Sequence, residues 1–178
     1  MDKKTLRKIC KEKRSLLSPE QRASFSYLIC EKLKPFLTNR TILSYSPYQE
    51  EVNVNIINNQ YGVALPVISE NRTMKAYRSI DKTYLLNKLG IKEPDPLNSI
   101  IVDKSDIDVV IVPLLGFDHN LYRLGHGGGY YDLYLKDMDA LKIGVAFSIQ
   151  KLEELPREAW DIPMDIIITE TGILSRKK

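Results

Sequence analysis

Residues 123–132, with the sequence RLGHGGGYYD, hold four of the nine glycines of the chain within five positions. Glycine reaches backbone conformations with positive φ and lets another group approach the main chain, but it loses much conformational entropy on folding. Consecutive exposed N–H groups bind anions, and a helix that begins directly after them adds the positive end of its dipole. A flexible turn would also accept glycines, but so many together favour a phosphate-binding loop. We call these ten residues the glycine loop.

Known phosphate signatures do not fit the glycine loop. The chain contains no GxxxxGK[ST] sequence, which excludes a P-loop. The spacing of Gly125, Gly127 and Gly129 is G-x-G-x-G, which differs from the dinucleotide fingerprint. The loop also follows several predicted strands instead of the first one. A nicotinamide cofactor is therefore not expected.

Arg123 and Asp132 are the first and last residues of the glycine loop, and both side chains suit a nucleotide bound with a metal ion. A guanidinium can donate two hydrogen bonds to phosphate oxygens, and a carboxylate is a hard ligand for Mg²⁺. Two structural alternatives stay open: Arg123 could pair with Asp118, and Asp132 could stabilise the first turn of its helix through the dipole. A second carboxylate for the metal would come from Asp161 or Asp165, and at least one of these is expected to be only a capping or strand-edge residue.

The elements that position these residues follow from the hydrophobic pattern. Residues 2–17 have apolar and basic residues at helical spacing, and Ser18, Pro19 and Glu20 begin a second helix that runs to about Phe36. Shorter helices are predicted at residues 52–60, 81–90, 128–138 and 151–158. Strands are predicted at residues 41–47, 62–68, 74–79, 107–115, 141–148 and 165–170, with an irregular loop at 91–99.

The alternation of strands and helices indicates an α/β fold. Residues 107–115, IDVVIVPLL, are almost continuously apolar, as in a central parallel strand that is covered on both faces. We expect one domain over residues 1–178, with an open, mostly parallel sheet and helices on both faces in a Rossmann-like three-layer arrangement. Ligands of such sheets bind beyond the carboxyl ends of the strands, and the glycine loop follows such an end.

Composition limits the class of protein. The two cysteines, Cys10 and Cys30, have no metal-ligand spacing, so neither a disulfide framework nor a zinc site is expected. No signal-peptide pattern and no run of 18 apolar residues is present, which predicts a soluble cytoplasmic protein with no membrane partner. Residues 1–40 contain eleven Lys or Arg and four Asp or Glu, a net charge of +7 in a chain of net charge +3. This segment could attract a nucleotide or another polyanion, or could be a solvated helix face.

The longest informative run is VPLLGFDHNLYRLGHGGGYYDLYL, residues 112–135. It resembles the signature of the 5-formyltetrahydrofolate cyclo-ligases, also called methenyltetrahydrofolate synthetases, in which a strand with VP precedes FD, RLGxGxGYYD and a helix. The similarity extends over nearly the whole chain: KxxxR at Lys3 and Arg7, SYSPYQEEV at 44–52, LP at 65–66, GIKEP at 90–94 and D-x-x-x-D before the last strand.

The resemblance implies an ATP- and Mg²⁺-dependent closure of 5-formyltetrahydrofolate to 5,10-methenyltetrahydrofolate, with release of ADP and phosphate. The resemblance also implies that the γ-phosphoryl group moves to the formyl oxygen and that the side-arm nitrogen then attacks the carbon. Lys3 and Arg7 lie on one helix face because they are four residues apart. Together with Arg123 they would be the catalytic cations.

The resemblance also implies a set of binding residues. Contacts to ATP would come from the amino-terminal segment and the glycine loop: Lys3, Lys4, Thr5, Leu6, Arg7, Arg123, Leu124, Gly125, His126, Gly127, Gly128, Gly129, Tyr130 and Tyr131. Contacts to the folate would come from Ser46, Glu51, Phe117, His126, Gly127, Gly128, Gly129 and Tyr130. The metal ligands would be Asp132 and Asp161.

The chain departs from the family pattern at two positions of this run. Leu121 stands where members commonly have glycine, and Gly128 stands where some members have a lysine that could contact phosphate. His126 occupies a variable position. Leu121 in place of glycine affects the expected conformation of the loop. Without a lysine at position 128, the positive charge for the phosphates would come from Arg123 and the amino-terminal helix.

Two functions from other classes are compatible with parts of the pattern. A non-catalytic module could hold a nucleotide, or RNA through the basic segment, but that segment lacks the interleaved aromatic residues of a base-stacking surface. A sugar-phosphate isomerase would use the anion site without ATP and would leave Asp132 and Asp161 unexplained. We expect small-molecule partners, namely ATP and the folate, no nucleic acid, and a monomer.

Overall fold

A computed structural model describes residues 1–69 and 73–176. Its four α-helices are α1 (Lys3–Ser15), α2 (Pro19–Leu33), α3 (Asn55–Tyr61) and α4 (Tyr130–Leu135). The strands are β1 (Ile42–Leu43), β2 (Leu65–Ile68), β3 (Met74–Ser79), β4 (Tyr84–Leu86), β5 (Lys92–Pro94), β6 (Ser99–Val102), β7 (Val109–Pro113), β8 (Gly116–Phe117), β9 (Arg123–Leu124), β10 (Leu141–Val145), β11 (Ile166–Thr169) and β12 (Gly172–Ser175). No helix within residues 1–69 and 73–176 has the length and apolar character needed to cross a bilayer.

Side-chain caps begin the first two helices, and the sequence predicted the second of them at Ser18. The Asp2 carboxylate accepts the Thr5 N–H at 2.7 Å at the start of α1. At α2 the Ser18 hydroxyl accepts the Gln21 N–H while the Gln21 side chain accepts the Ser18 N–H, and Pro19 occupies the first helical position. These bonds satisfy N–H groups that the helix itself leaves unpaired.

The main sheet has the strand order β1-β7-β10-β11-β12. β1, β7, β10 and β11 are parallel, and β12 pairs antiparallel with β11. β7 lies between β1 and β10, and its residues 109–112 are fully buried. The predicted mostly parallel sheet is therefore confirmed, with one antiparallel strand at its edge.

Alternate residues of β7 enter two separate cores. Val109 and Ile111 pack with residues of α2 and α3, among them Ile29 and Ile57. Val110 and Val112 pack on the opposite face with α4 and with the residues of β3. Helices therefore cover both faces as predicted, because successive side chains of a strand point to opposite sides. The second face also carries a three-stranded antiparallel sheet, β2-β3-β6, of which only the first two strands were predicted.

The helix predicted at residues 81–90 is wrong. The segment forms β4, which pairs antiparallel with β5 across a turn. The Asn87 side chain accepts the N–H groups of Leu89 and Ile91 at 2.9 and 3.1 Å, and Gly90 has a φ of +76°. An asparagine that bonds to nearby backbone in this way favours a turn over a helix. The expected irregular loop at 91–99 is accordingly partly regular, since it contains β5 and the start of β6.

The helix predicted at residues 151–158 is also absent. The buried Asp118 carboxylate accepts the Leu155 N–H at 3.1 Å, and Lys151 forms an isolated parallel bridge with Phe117. Backbone groups that would bond within a helix therefore bond to residues of the β8 strand and its turn instead. Pro156 also lacks an N–H for helical bonding. The hairpin of β8 and β9, and the edge strand β12, were not predicted.

Helix α1 packs at the end of the sheet against the hairpin of β8 and β9. Leu6 and Cys10 form a small core with Leu124 and Leu155. This contact brings the basic amino-terminal helix to the strand that leads into the glycine loop. Cys10 and Cys30 are both buried and free.

Leu121, the position where relatives were expected to have glycine, has a φ of +65°. Its side chain is 2% exposed and packs in the core beside Val112 and Leu135. Its carbonyl accepts the Met164 N–H at 2.9 Å, which fixes the turn against the segment before β11. The turn therefore keeps the left-handed conformation that favours glycine, and burial of the leucine side chain offsets the strain.

We expect the stability at position 121 to fall in the order leucine, glycine, alanine. Leu121→Gly relieves about 1–2 kcal/mol of left-handed strain but loses about 2–5 kcal/mol of side-chain burial, a net loss of about 1–3 kcal/mol. Leu121→Ala loses nearly the same burial and keeps the strain. Urea unfolding of the three proteins measures the order, and an alanine variant more stable than the glycine variant would contradict the strain argument.

Candidate functional site

The glycine loop is presented by the hairpin of β8 and β9, directly after the carboxyl end of β7. The Gln150 side chain donates to the carbonyls of Leu114 and Leu115 at 2.7 and 2.8 Å, which fixes the exit from the strand. Asp118 accepts the N–H groups of Asn120 and Tyr122 at 2.9 and 3.1 Å and so shapes the hairpin turn. Hydrogen bonds of the buried Gln150 and Asp118 side chains therefore fix the backbone that leads to the loop.

Residues 126–129 of the glycine loop are exposed. Gly127 has a φ of +103°, a conformation that residues with a Cβ rarely adopt. At Gly128 a Cβ would lie 2.7 Å from ring atoms of Tyr130, two residues later, so the present position of that ring depends on a glycine at 128. A lysine at this position would require the Tyr130 ring to move. The lack of a Cβ thus matters sterically at Gly127 and Gly128 of this loop.

Arg7 lies directly against the glycine loop. Its Nε donates to the Gly125 carbonyl at 2.9 Å, and a Cβ at Gly127 would be 3.3 Å from the guanidinium carbon. Lys3, one turn earlier on the same helix face, binds Asp161 at 2.7 Å and Glu158 at 2.9 Å. The carboxylates raise the pKa of the Lys3 ammonium, although desolvation opposes them. The structure therefore brings Arg7 to the loop and Lys3 to one of the two predicted metal ligands.

Arg123 joins one predicted metal ligand, Asp132, to the main chain next to the other. It donates through Nη2 to Asp132 at 2.7 Å and through Nη1 to the Ile162 carbonyl at 2.9 Å, beside Asp161. The alternative pairing of Arg123 with Asp118 is wrong, because Asp118 is buried among backbone N–H groups and pairs with Arg157 at 3.4 Å. Asp132 lies in the first turn of α4, so its position also suits the helix dipole.

Asp161 and Asp165 have different surroundings. Asp165 accepts the Lys142 N–H at 2.8 Å and joins β10 to the start of β11, which is a strand-edge role. Asp161 accepts the Glu158 N–H at 2.8 Å and contacts Lys3. Of the two, Asp161 lies among the cations of the site. Within the described residues no cluster of three or more acidic, histidine or cysteine side chains could hold a metal by itself.

Glu51 and His126, both predicted to contact the folate, meet in the structure. His126 Nε2 lies 3.0 Å from Glu51 Oε1, and the other carboxylate oxygen accepts the Tyr48 N–H at 2.9 Å. The Glu51 side chain is only 7% exposed. Ser46 donates to the Lys92 carbonyl at 2.6 Å, which ties its loop to β5. The segment that follows β1 therefore closes one side of the glycine loop.

Tyr131 and Tyr45 place phenol groups near Glu51. Burial, with the negative charge of Glu51 as the next cause, raises the pKa of both hydroxyls. Tyr45 donates to the Val52 carbonyl at 2.6 Å, whereas the buried Tyr131 hydroxyl has no partner among the described residues. These groups stay protonated at neutral pH, so each keeps an O–H that it can donate.

The remaining predicted residues divide by exposure. Lys4 and Thr5 are exposed on α1, and Tyr130 is half-buried and lines a groove of about 630 Å³ between β3, β6 and α4. The side chains of Leu6, Leu124 and Phe117 are buried in the cores, so they could contact a ligand only through their main chain. Their assignment to binding stays a prediction.

Arg14 was missed by the sequence reasoning. Its guanidinium is buried beside Glu50, seven residues after Arg7 and therefore on nearly the same face of α1. The seven-residue spacing between Arg7 and Arg14 indicates that both lie on one face of the helix, because positions seven apart lie almost above one another. In a helix with so many cations Arg14 was not separated from solvent-facing residues.

A family model for the 5-formyltetrahydrofolate cyclo-ligase family matches residues 1–170. The chain belongs to this family. It is 33% identical over 183 residues to the 5-formyltetrahydrofolate cyclo-ligase of Mycoplasma pneumoniae, a match that covers 96% of this chain and 99% of the relative. It is 28% identical over 177 residues to the Escherichia coli cyclo-ligase, with 92% and 97% covered.

Solved structures of cyclo-ligase relatives have the same fold. The chain matches the NMR structure of Aquifex aeolicus 5,10-methenyltetrahydrofolate synthetase with a TM-score of 0.85 at 35% identity, covering 98% of this chain and 93% of the other. It matches the Mycoplasma pneumoniae 5,10-methenyltetrahydrofolate synthetase with a TM-score of 0.77 at 29% identity, covering 96% and 99%. The resemblance drawn from the run at 112–135 is confirmed.

Proposed function

We propose that this cyclo-ligase family member converts 5-formyltetrahydrofolate and ATP to 5,10-methenyltetrahydrofolate, ADP and phosphate. The observation that carries the proposal is the contact of Arg7 with the exposed glycine loop, in a chain that matches the family over residues 1–170. An exposed main chain beside a guanidinium is an anion site, and a triphosphate is the anion that the reaction needs.

The chemical problem is the formyl oxygen, which is a poor leaving group. In the proposed reaction this oxygen attacks the γ-phosphorus of ATP, the bond to the β-phosphate oxygen breaks, and ADP leaves. The side-arm nitrogen then attacks the activated formyl carbon, closes the ring and loses its proton to the departing phosphate or to solvent. The carbon–oxygen bond breaks and phosphate departs with the formyl oxygen. No serine or cysteine nucleophile is required.

Cations and backbone donors perform most of the catalysis in this proposal. Phosphoryl transfer depends on the positioning of the reactants and on neutralisation of charge at the transferred group. Arg7 and the main-chain N–H groups of residues 126–129 would bind phosphate oxygens at the loop. Lys3 and Arg123 would add positive charge from the side where Asp161 and Asp132 lie.

Asp132 and Asp161 are the proposed ligands of Mg²⁺. Their carboxylate oxygens are the hard donors that this ion prefers, and Arg123 joins Asp132 to the main chain next to Asp161. Two protein carboxylates would leave the remaining coordination positions of Mg²⁺ to substrate phosphates. Mg²⁺ is usually bound in this way in nucleotide sites. The bound ion would supply further neutralisation of phosphate charge.

Glu51 is the proposed anchor of the folate. Its buried carboxylate can accept hydrogen bonds from the N–H groups of the pterin ring, and Tyr48 N–H and His126 hold it in place. Tyr130 would give the flat ring an aromatic wall at the edge of the glycine loop. The folate and the triphosphate would therefore meet across residues 126–130.

The proposed reaction is tested by following the absorbance of methenyltetrahydrofolate. We expect the purified protein to form it from 5-formyltetrahydrofolate only when both ATP and Mg²⁺ are present, with one ADP released for each ring closed. A folded protein that forms no product under these conditions would exclude the activity. A protein that binds ATP and leaves the folate unchanged would support the binding-module alternative.

A further inference from the structure

Arg14 is a buried cation that the reaction described above does not use. Its side chain is 2% exposed, and neither Nε nor Nη1 has a hydrogen-bond partner among the described residues. The Glu50 carboxylate lies 3.8 Å from Nε, beyond hydrogen-bond distance, and a cleft of about 430 Å³ separates α1 from Gln49 and Glu50. Buried donors without partners are costly and rare in proteins, so this one requires an explanation.

The charges around Arg14 indicate which group it acts on. Burial lowers the pKa of the Arg14 guanidinium, and the negative charges of Glu51 and then Glu50 are the main influences that oppose this lowering. Glu50 is also 4.0 Å from Arg22 and is 36% exposed, so solvent and a second cation already compensate its charge. Glu51 is nearly buried, which makes it the carboxylate with the greater need of a cation.

The other neighbours of Glu51 do not supply a permanent positive charge. His126, from the glycine loop, is charged only when protonated. Tyr48 offers a neutral N–H, and the phenols of Tyr45 and Tyr131 face Glu51 as neutral groups. A buried carboxylate without a cation is strongly disfavoured, and a permanently charged guanidinium in the same low-dielectric region corrects this.

We propose that Arg14 is a positioning residue, whose buried guanidinium holds the segment of Glu50 and Glu51 in place and supplies positive charge near the Glu51 carboxylate that binds the folate. The inference rests on the proposed function, because it assigns Glu51 to the pterin ring. Arg14 sits on the same face of α1 as Lys3 and Arg7, so one helix serves both substrates. Its first two cations face the nucleotide side, and the third supports the folate side.

The test compares Arg14→Met, which removes the charge and keeps a long apolar side chain, with Arg14→Lys, which keeps the charge. For Arg14→Met we expect the KM for 5-formyltetrahydrofolate to rise roughly tenfold while kcat and the KM for ATP change less than about twofold. Arg14→Lys should restore most of the folate affinity. Arg22→Met, which removes the other arginine near Glu50, is the matched control and should leave the folate KM within about twofold.

A double-mutant cycle with Glu51→Gln separates this role from a general structural one. Once Glu51 is neutral, adding Arg14→Met should change the folate KM and the calorimetric Kd by less than about twofold. An unchanged folate KM in Arg14→Met, a parallel loss of kcat and ATP affinity, or an equal effect in the Glu51→Gln background would each overturn the inference. Thermal unfolding shows that the variants are folded. A wild-type protein that neither binds nor converts the folate would overturn the proposed function and this inference together.

Discussion

Gly127→Val is expected to lower kcat/KM for ATP by about 10²-fold or more, the size of effect seen when one preorganised donor to a developing oxyanion is lost. The φ of +103° at Gly127 is a strained conformation for valine, and the added Cβ would lie 3.3 Å from the Arg7 guanidinium carbon. The branched side chain must therefore move the backbone, Arg7 or both. Steady-state kinetics with varied ATP measures the loss.

A control for Gly127→Val must carry the same backbone strain away from the site. Gly62 has a φ of +57° at the end of α3, and a Cβ there would meet no atom within 4 Å. Gly62→Val should cost about 1–2 kcal/mol of stability through left-handed strain and leave kcat/KM nearly unchanged. Full ATP-dependent activity in Gly127→Val would show that the loop does not hold the phosphates.

Local signals in the sequence were sufficient for the helices at the start and for the parallel strands of the main sheet. Ser18 and Pro19 begin α2 as expected, and the apolar run at 107–115 contains the buried strand β7. The hairpin of β4 and β5 was missed because the Asn87 side chain bonds to the turn backbone, a preference that competes with the helical pattern of the same residues. Side-chain bonds to the backbone decide such short segments, and hydrophobic spacing does not reveal them.

The sequence likewise predicted some contacts of the site, whereas others are visible only in the tertiary structure. The sequence predicted that Arg7 and the glycine loop act on one ligand, and the structure places them in contact. It left two roles open for Arg123, an ion pair with Asp118 or a functional role. Spacing could not decide, because Asp118 and Asp132 both lie within nine residues of Arg123. Only the fold shows that Asp118 is enclosed by backbone donors and that Asp132 takes the arginine. The magnesium site, the monomeric state and the location in the cytoplasm stay predictions.

The position of α1 explains why one helix can influence both substrates. Leu6 and Cys10 fix it against Leu124, at the entry to the glycine loop. The same packing sets Arg7 over Gly127 and places Arg14 below Glu50. A basic helix that looks uniformly cationic in the sequence therefore contains residues with distinct surroundings, and burial distinguishes Arg14 from its neighbours.

Arg123→Lys should lower kcat/KM for ATP by about 10²-fold even though the positive charge is kept, because a lysine lacks the planar fork that holds two partners. The Arg123 side chain is 5% exposed and bonds both Asp132 and the Ile162 carbonyl. A single ammonium cannot reproduce both bonds in the same geometry. The relative position of Asp132 and the segment at Asp161 would then change, and steady-state kinetics with varied ATP would measure the effect.

Arg157→Lys is the matched control for Arg123→Lys, since it alters the other arginine–aspartate pair of the same hairpin. Arg157 lies 3.4 Å from Asp118, and its guanidinium carbon lies 4.4 Å from the centre of the Tyr122 ring. Its replacement should reduce stability by about 1 kcal/mol through the lost stacking and leave kcat/KM within about threefold. Equal loss of activity in both variants would mean that Arg123 merely stiffens the hairpin. Loss confined to Arg123→Lys would tie its two hydrogen bonds to phosphoryl transfer.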